Sequence, residues 1–206
     1  MFVSFFHEYT SIQMILLTSV VFLTTALPLS MIQASVHDIS GLELLDARWD
    51  WSEEDAMQLF KASGERGRDL YAQALKFYGV MFLFSYFLWG SFTLFYFLQK
   101  SEWRKVSLYA PLLMVTSDLL EDYCILALLT HYESNILTAT QTHWIAKVGS
   151  TATLVKWFSI YFNIAILTLA ALRFGWAYLT KKGSAGPSGK VKTELQKKAK
   201  QTKKQQ

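Results

Sequence analysis

Four long apolar stretches divide the chain, and polar segments separate them. A helix that crosses a bilayer needs about 20 mostly apolar residues. The pattern predicts four such helices, over residues 14–34, 77–98, 106–130 and 150–173. The second is the clearest, because no charged residue lies between Lys76 and Lys100. We therefore predict an all-α protein with a four-helix transmembrane bundle over residues 1–180.

The first stretch, residues 14–34, has an alternative interpretation as a cleaved signal peptide. Such a peptide begins with a basic segment. Residues 1–13 contain Glu8 and no lysine or arginine. We therefore expect the first stretch to be retained as a spanning helix.

Basic residues concentrate in two segments that follow spans two and four. Residues 99–105 carry three basic side chains against Glu102, and residues 181–206 carry nine lysines against Glu194. Basic loops stay on the cytosolic side of a membrane, and an even number of spans places both segments on one side. Both termini are therefore expected in the cytosol, with residues 35–75 and the short loop 131–149 on the luminal side.

The luminal loop 35–75 contains signals for a short helix. Ser52 and Asp55 have the spacing of a capping box, and Gly64 suits a helix end. Trp51 is expected at the membrane interface. Two interpretations stay open: a cap that lies across the mouth of the bundle, or a lid over a binding cavity.

Composition agrees with a membrane protein. Hydrophobic residues make up 52% of the 206 residues, and the mean hydropathy is +0.21, whereas soluble domains are about 45–50% apolar. The single cysteine, Cys124, excludes an intramolecular disulfide and a thiolate zinc site.

The tail over residues 181–206 is basic and poor in apolar residues, so we predict that it is disordered. The last four residues begin with Lys203 and Lys204. This ending resembles the dilysine signal that retrieves membrane proteins to the endoplasmic reticulum, and such a signal gives an address rather than an activity. The expected location is the endoplasmic reticulum membrane.

Charged residues also occur inside the third and fourth apolar stretches. Asp118, Glu121 and Asp122 share one face of the third helix, at i, i+3 and i+4. The fourth helix carries Lys156 and Asn163 at matching depths. Because charge within a bilayer costs several kcal/mol unless it is paired, we predict that Lys156 pairs with Asp122 or Glu121. Asn163 is predicted to hydrogen-bond Asp118.

Three acids facing one lysine leave an excess of negative charge. We expect at least one carboxyl to be neutral at pH 7, unless Lys76 or Arg68 supplies a second cation. Two interpretations of this intramembrane polar cluster stay open. It is either an internal ion pair that sets helix register, or a polar cavity for a lipid headgroup, an ion or a proton.

Short motifs connect the segment 44–156 with a known family. They are Leu45-Asp46-Ala47-Arg48, Gly64-Glu-Arg-Gly67-Arg68-Asp-Leu-Tyr71, Tyr86, Pro111, Asp118-Leu-Leu-Glu121-Asp122 and Leu154-Val-Lys156-Trp157. On these motifs the chain resembles a family of uncharacterised four-span membrane proteins, known mostly from bacterial genomes. The resemblance implies four spans and brings no established activity. The four spans, the buried carboxylates and the lysine-rich end also resemble, in architecture only, EXPERA-type endoplasmic reticulum proteins.

Catalytic and nucleotide-binding motifs such as G-x-S-x-G, H-E-x-x-H and phosphate-binding glycine loops do not occur in the sequence. We expect no metal, no cofactor and no nucleic-acid partner. The first hypothesis is a non-enzymatic binding, scaffolding or assembly component whose partners are the lipid bilayer and another membrane protein. The alternative is a small enzyme or carrier for a lipid or sterol, in which the intramembrane carboxyls transfer protons.

Overall fold

The computed structural model describes residues 2–98 and 108–184, and all regular secondary structure within these ranges is helical. The α-helices are α1 (Phe2–Tyr9), α2 (Ile12–Ser40), α3 (Glu53–Gln73), α4 (Val80–Phe97), α5 (Tyr109–Ser134) and α6 (Ala139–Ser184). A 3-10 turn, Leu45–Ala47, precedes α3, and a π-helical turn, Ala74–Gly79, joins α3 to α4. The prediction of an all-α fold is confirmed for these residues.

Three helical segments are long and apolar enough to cross a membrane: Ile12–Ser40, Glu53–Phe97 and Ala139–Trp176. This property indicates a membrane protein in a lipid bilayer. The predicted third span, 106–130, corresponds largely to α5, which is not one of the three. Although α5 has 26 residues, three acids lie in its middle and lower its hydropathy.

Two helices are longer than the apolar pattern predicts. Helix α2 continues to Ser40, where Gly41 ends it with φ 67°, so much of the predicted loop 35–75 is helical. Helix α6 extends the predicted span 150–173 in both directions and ends at Ser184. Residues 181–184, the first four of the tail that was predicted to be disordered, are part of this helix. The remainder of that tail, including Lys203 and Lys204, lies outside the described residues.

The start of α3 has the predicted capping box. The Ser52 hydroxyl accepts a hydrogen bond from the Asp55 amide, and the Asp55 carboxylate accepts one from the Ser52 amide. Gly64 then interrupts the helix with φ 58° and ψ −175°, a conformation that glycine adopts without steric cost. The helix continues beyond this bend, so Gly64 marks a change of direction rather than an end.

Residues 42–73 pack against one end of the helices through a buried apolar core. The core residues are Val36, Leu44, Leu45, Trp51, Ala56, Leu59, Phe60, Tyr71, Leu75, Ile125, Leu128, Leu129 and Ala146. Trp51 was expected at the membrane interface, but its side chain is only 4% exposed. Its indole lies against Gly149 of α6, where an added Cβ would come within 2.6 Å of the ring. The absence of a side chain at residue 149 therefore makes room for Trp51.

We expect Gly149→Ala to lower the free energy of unfolding by about 1–3 kcal/mol, because the new methyl group would collide with the Trp51 ring. The matched control is Gly175→Ala on the same helix, where an added Cβ meets nothing within 4 Å. Denaturant unfolding in detergent micelles, followed by circular dichroism, measures both effects. Equal stability of the two variants would contradict the docking of Trp51 on α6.

Candidate ligand-binding site

A line of buried polar side chains runs along α6 at helical spacing. All are 6% exposed or less: Ser150, Thr153, Lys156, Ser159 and Asn163. Such residues are expensive to bury away from water unless they have partners. The line faces α5, and these two helices form the most extensive helix pair among the described residues. Thr153 and Lys156 have side-chain partners on α5.

Lys156 is the centre of these contacts. Its Nζ lies 2.5 Å from Glu121 Oε2 and 3.2 Å from Asp118 Oδ1, both on α5. It also donates a 2.8 Å hydrogen bond to the backbone carbonyl of Asp46. The predicted pairing of Lys156 with Glu121 is confirmed. An ammonium group has three hydrogens, and three oxygens surround this one.

Glu121 is fully buried and is connected to the segment before α3. Its Oε1 accepts a 2.6 Å hydrogen bond from the Thr153 hydroxyl, which in turn accepts a 2.9 Å bond from the indole of Trp51. A buried carboxylate with both an ion pair and a hydroxyl donor is well compensated. The chain of contacts ties the position of Trp51 to the ion pair.

Asp46 brings a fourth carboxyl group to the site. Its Oδ2 accepts a 2.7 Å bond from Gln33 Nε2 on α2, and its Oδ1 accepts a 2.9 Å bond from the Tyr71 hydroxyl on α3. Asp46 lies in the 3-10 turn Leu45–Ala47. Three separate segments of the chain are therefore joined at this residue, and both of its carboxylate oxygens have donors.

Asp122 differs from the other three acids. Asp122 is 7% exposed. Within the described parts of the chain, its carboxyl group makes no hydrogen bond and no ion pair. Gly79 of the π-helical turn lies beside it, since an added Cβ there would be 3.3 Å from Asp122 Oδ2. Lys156, which was considered as a partner for Asp122, is directed to Glu121 and Asp118 instead.

The predicted hydrogen bond between Asn163 and Asp118 is wrong. Asn163 Nδ2 donates a 2.9 Å bond to the Ser159 carbonyl in the preceding turn of α6, and its Oδ1 has no partner. The physical reason is competition: the carboxylate of Asp118 is held by Lys156, while the carbonyl at i−4 is within reach of Asn163 on its own helix.

Neither Lys76 nor Arg68, which were considered as a second cation for the cluster, pairs with its carboxyl groups. Arg68 pairs with Glu133 at 3.3 Å and lies over the Tyr132 ring. Lys76 is exposed. Two carboxyl groups, those of Asp118 and Glu121, therefore contact the one ammonium group of Lys156. Asp46 and Asp122 line the same cavity.

A cavity of about 400 Å³ lies next to this cluster, between α2, α4, α5 and α6. One part of its wall is polar and includes Gln33, Asp46, Asp118, Asp122 and Lys156. The rest is largely apolar and aromatic: Phe22, Ala26, Leu29, Leu75, Phe82, Tyr86, Met114, Trp157 and Ile160. Cavities of this size with apolar walls and a few converging polar groups are typical of small-molecule sites.

Neither metal geometry nor relatives define the site further. Within the described ranges, no group of three or more His, Cys, Asp or Glu residues is placed to hold a metal ion. The chain matches no protein-family model, no curated protein and no solved structure.

Sequence reasoning found the charged residues of α5 and α6 but not the contribution of residues before α3. Asp46 and Trp51 lie far from the apolar stretches in sequence, and their contacts depend on how residues 42–52 fold back. Thr153 could have been found, because it lies three residues before Lys156 and so shares a helix face with it. Gln33 had a similar signal, as a polar residue near the end of an apolar helix.

Replacement of Lys156 tests the ion pair. Lys156→Met is expected to lower the free energy of unfolding by about 3–5 kcal/mol, because Glu121 and Asp118 would stay buried without their cation. Adding Glu121→Gln should cost less than the sum of the two single changes. Equilibrium unfolding in mixed detergent micelles gives the three values.

Lys147→Met is the control, since Lys147 lies on the same helix but is exposed. Its effect is expected to stay within about 0.5 kcal/mol. Strict additivity of Lys156→Met and Glu121→Gln would show that the two side chains do not interact.

Proposed function

We propose that this protein is a membrane-embedded binding protein that holds one amphipathic lipid or sterol molecule without transforming it chemically. The observation that carries the proposal is the cavity of about 400 Å³, which ends at Asp118, Asp122 and Lys156. Had the lysine side chain filled this space, the cluster would have served only to fix the helices. An open cavity beside the carboxyls favours a ligand instead.

The two parts of the cavity wall suit the two parts of such a molecule. Rings of Phe22, Phe82 and Trp157 offer apolar surface to a hydrocarbon body. Polar groups at the other part can bind a head group, and their low-dielectric surroundings strengthen each contact. A purely structural ion pair requires no such apolar chamber.

The segment before α3 acts in this proposal as a lid that holds the head group. Asp46 contributes both to the wall of the cavity and to the contacts of Lys156. The Arg48 carbonyl accepts a 2.8 Å hydrogen bond from the Trp157 indole. The lid is therefore attached at the polar end by polar contacts of Asp46, Arg48 and Trp51.

Four spans, with α5 as the third, complete the proposed topology. Buried acids lower the hydropathy of α5, but its ion pair with Lys156 reduces the cost of placing it in a bilayer. The basic segments 99–105 and 181–206 support cytosolic termini. The resemblance to uncharacterised four-span proteins is compatible with this topology. Lys203 and Lys204 support residence in the endoplasmic reticulum.

Filling the cavity tests the binding function. Ala26→Trp, on the α2 wall of the cavity, is expected to remove at least nine-tenths of any lipid that co-purifies in stoichiometric amount, because the indole would occupy the ligand's space. Mass spectrometry of extracts from the purified protein measures the bound lipid.

The neighbouring change Leu27→Trp is the control, since Leu27 is 63% exposed on the outside of the same helix. It adds an equal bulk without entering the cavity and should leave the co-purified lipid unchanged. Absence of any stoichiometric lipid from the unaltered protein, in several mild detergents, would overturn the proposal.

Loss of the two terminal lysines tests the location. A protein with Lys203→Ser and Lys204→Ser is expected to leave the endoplasmic reticulum for later secretory compartments, because the retrieval signal depends on both side chains. Fluorescence microscopy with a tag at the N-terminus measures the change and leaves the C-terminus free. Replacing Lys197 and Lys198 by serine is the charge-matched control and should not alter the location.

A second candidate function is a lipid-transforming enzyme, and the unpartnered carboxyl of Asp122 favours it. A buried carboxyl at the wall of an apolar cavity is suited to general acid or base chemistry. The two functions differ in one observable: an enzyme would return an altered lipid, whereas a binding protein returns the lipid unchanged.

A further inference from the structure

Lys156 and Asp122 both line the cavity, but only the first of these two is engaged within the protein. Lys156 directs its ammonium group to Asp46 O, Asp118 Oδ1 and Glu121 Oε2. The ammonium group is therefore engaged by one hydrogen bond and two ion pairs within the protein. It cannot serve as a receptor for a phosphate or carboxylate head group unless an existing contact breaks.

Asp122 has the opposite property. It is more than nine-tenths buried, it lines the cavity, and no described side chain donates to it or pairs with it. Gly79 keeps the space next to its Oδ2 open. A buried carboxyl without a partner is costly, so a ligand that donates a hydrogen bond or brings a positive charge would be stabilised there.

The charge balance of the site favours a cation over a neutral donor. Asp46, Asp118, Glu121 and Asp122 provide four carboxyl groups, and Lys156 is the basic residue that faces them from the described elements. Two other basic residues, Arg48 and Arg68, are paired with Asp55 and Glu133. A ligand with a neutral hydroxyl group leaves the excess of carboxyl groups over cationic groups unchanged. A ligand with an ammonium group reduces that excess by one.

The walls next to the carboxyls also suit an ammonium group. Phe22, Phe82, Tyr86 and Trp157 present aromatic rings to the cavity, and aromatic faces attract cations. The same rings offer apolar area to a hydrocarbon chain. The cavity therefore has a place for each half of a long-chain amine.

We propose that the ligand is a single-chain amphipathic amine without a phosphate, whose protonated nitrogen pairs with Asp122 while its hydrocarbon part lies against the aromatic wall. The proposal rests on the binding function proposed above and specifies its ligand class. Phosphate-bearing amines are disfavoured, because the acids would repel the phosphate and Lys156 is already engaged. Sterols and fatty acids are disfavoured for lack of a cation.

The test uses the full-length protein in nanodiscs of phosphatidylcholine and tritiated sphingosine as the probe. Sphingosine is a single-chain primary amine. Three unlabelled competitors differ from it in head-group charge or hydrocarbon shape: N-acetylsphingosine, whose nitrogen is neutral, sphingosine 1-phosphate, which adds a phosphate, and cholesterol. We expect sphingosine to compete at least tenfold better than each of these. Equal or better competition by any of them would overturn the amine assignment.

Asp122→Asn tests the residue, since it removes the charge and keeps the shape of the side chain. It is expected to weaken sphingosine binding at least tenfold and to leave the weaker binding of N-acetylsphingosine unchanged. Asp38→Asn is the control, because Asp38 is an exposed acid beyond the cavity. An unchanged affinity for sphingosine in Asp122→Asn would overturn the proposed pairing. If that variant does not fold, the competition series on the unaltered protein still decides the ligand class.

The failures of the two proposals are distinguishable. If no sphingosine binds but a neutral lipid co-purifies and is lost in Ala26→Trp, the amine assignment falls and the binding function stands. If neither sphingosine nor any co-purified lipid is bound, the amine assignment and the proposed binding function are both wrong.

Discussion

A buried ammonium group has to be surrounded by acceptors, and the tertiary structure around Lys156 follows from this requirement. Its three oxygen neighbours come from two parts of the chain: the turn at Asp46, and Asp118 and Glu121 of α5. Removing an ion from water costs several kcal/mol even after relaxation of the protein. Each of these contacts therefore constrains where a whole segment can lie.

The same requirement explains why α5 can lie among apolar helices despite its three acids. Glu121 receives the lysine and a hydroxyl donor, Asp118 receives the lysine, and only Asp122 remains without a partner. A purely structural cluster does not require an unpaired acid, because burying a leucine or an asparagine at this position would cost less free energy. Its position at the wall of a cavity agrees with the proposed role as a ligand contact.

The segment before α3, which we propose to be a lid, is connected to the cavity through side chains as well as through the backbone. Trp51 reaches Thr153, Thr153 reaches Glu121, and Glu121 holds Lys156. On the other side of the lysine, Asp46 connects to Gln33 and Tyr71. A head group that binds at Asp122 would lie beside this network, so its charge would influence the contacts that attach the lid.

Sequence alone determined the helical architecture, three of the four predicted apolar spans and the charged residues of α5 and α6, because helical periodicity and the cost of buried charge are local properties. It also predicted that Lys156 pairs with Asp122 or Glu121, since two antiparallel neighbours bring residues of similar depth together, and the structure has the pair with Glu121. Only the tertiary structure decided that Asp46 and Trp51 complete the site, that Asn163 bonds within its own helix, and that Asp122 stays free. These outcomes depend on contacts between the loop before α3 and residues of α6 that lie more than 100 positions later in the chain. They also depend on which of several acids pairs with the single lysine. The choice among these acids depends on small differences in interatomic distance, and a pattern of residues along the chain does not specify such distances.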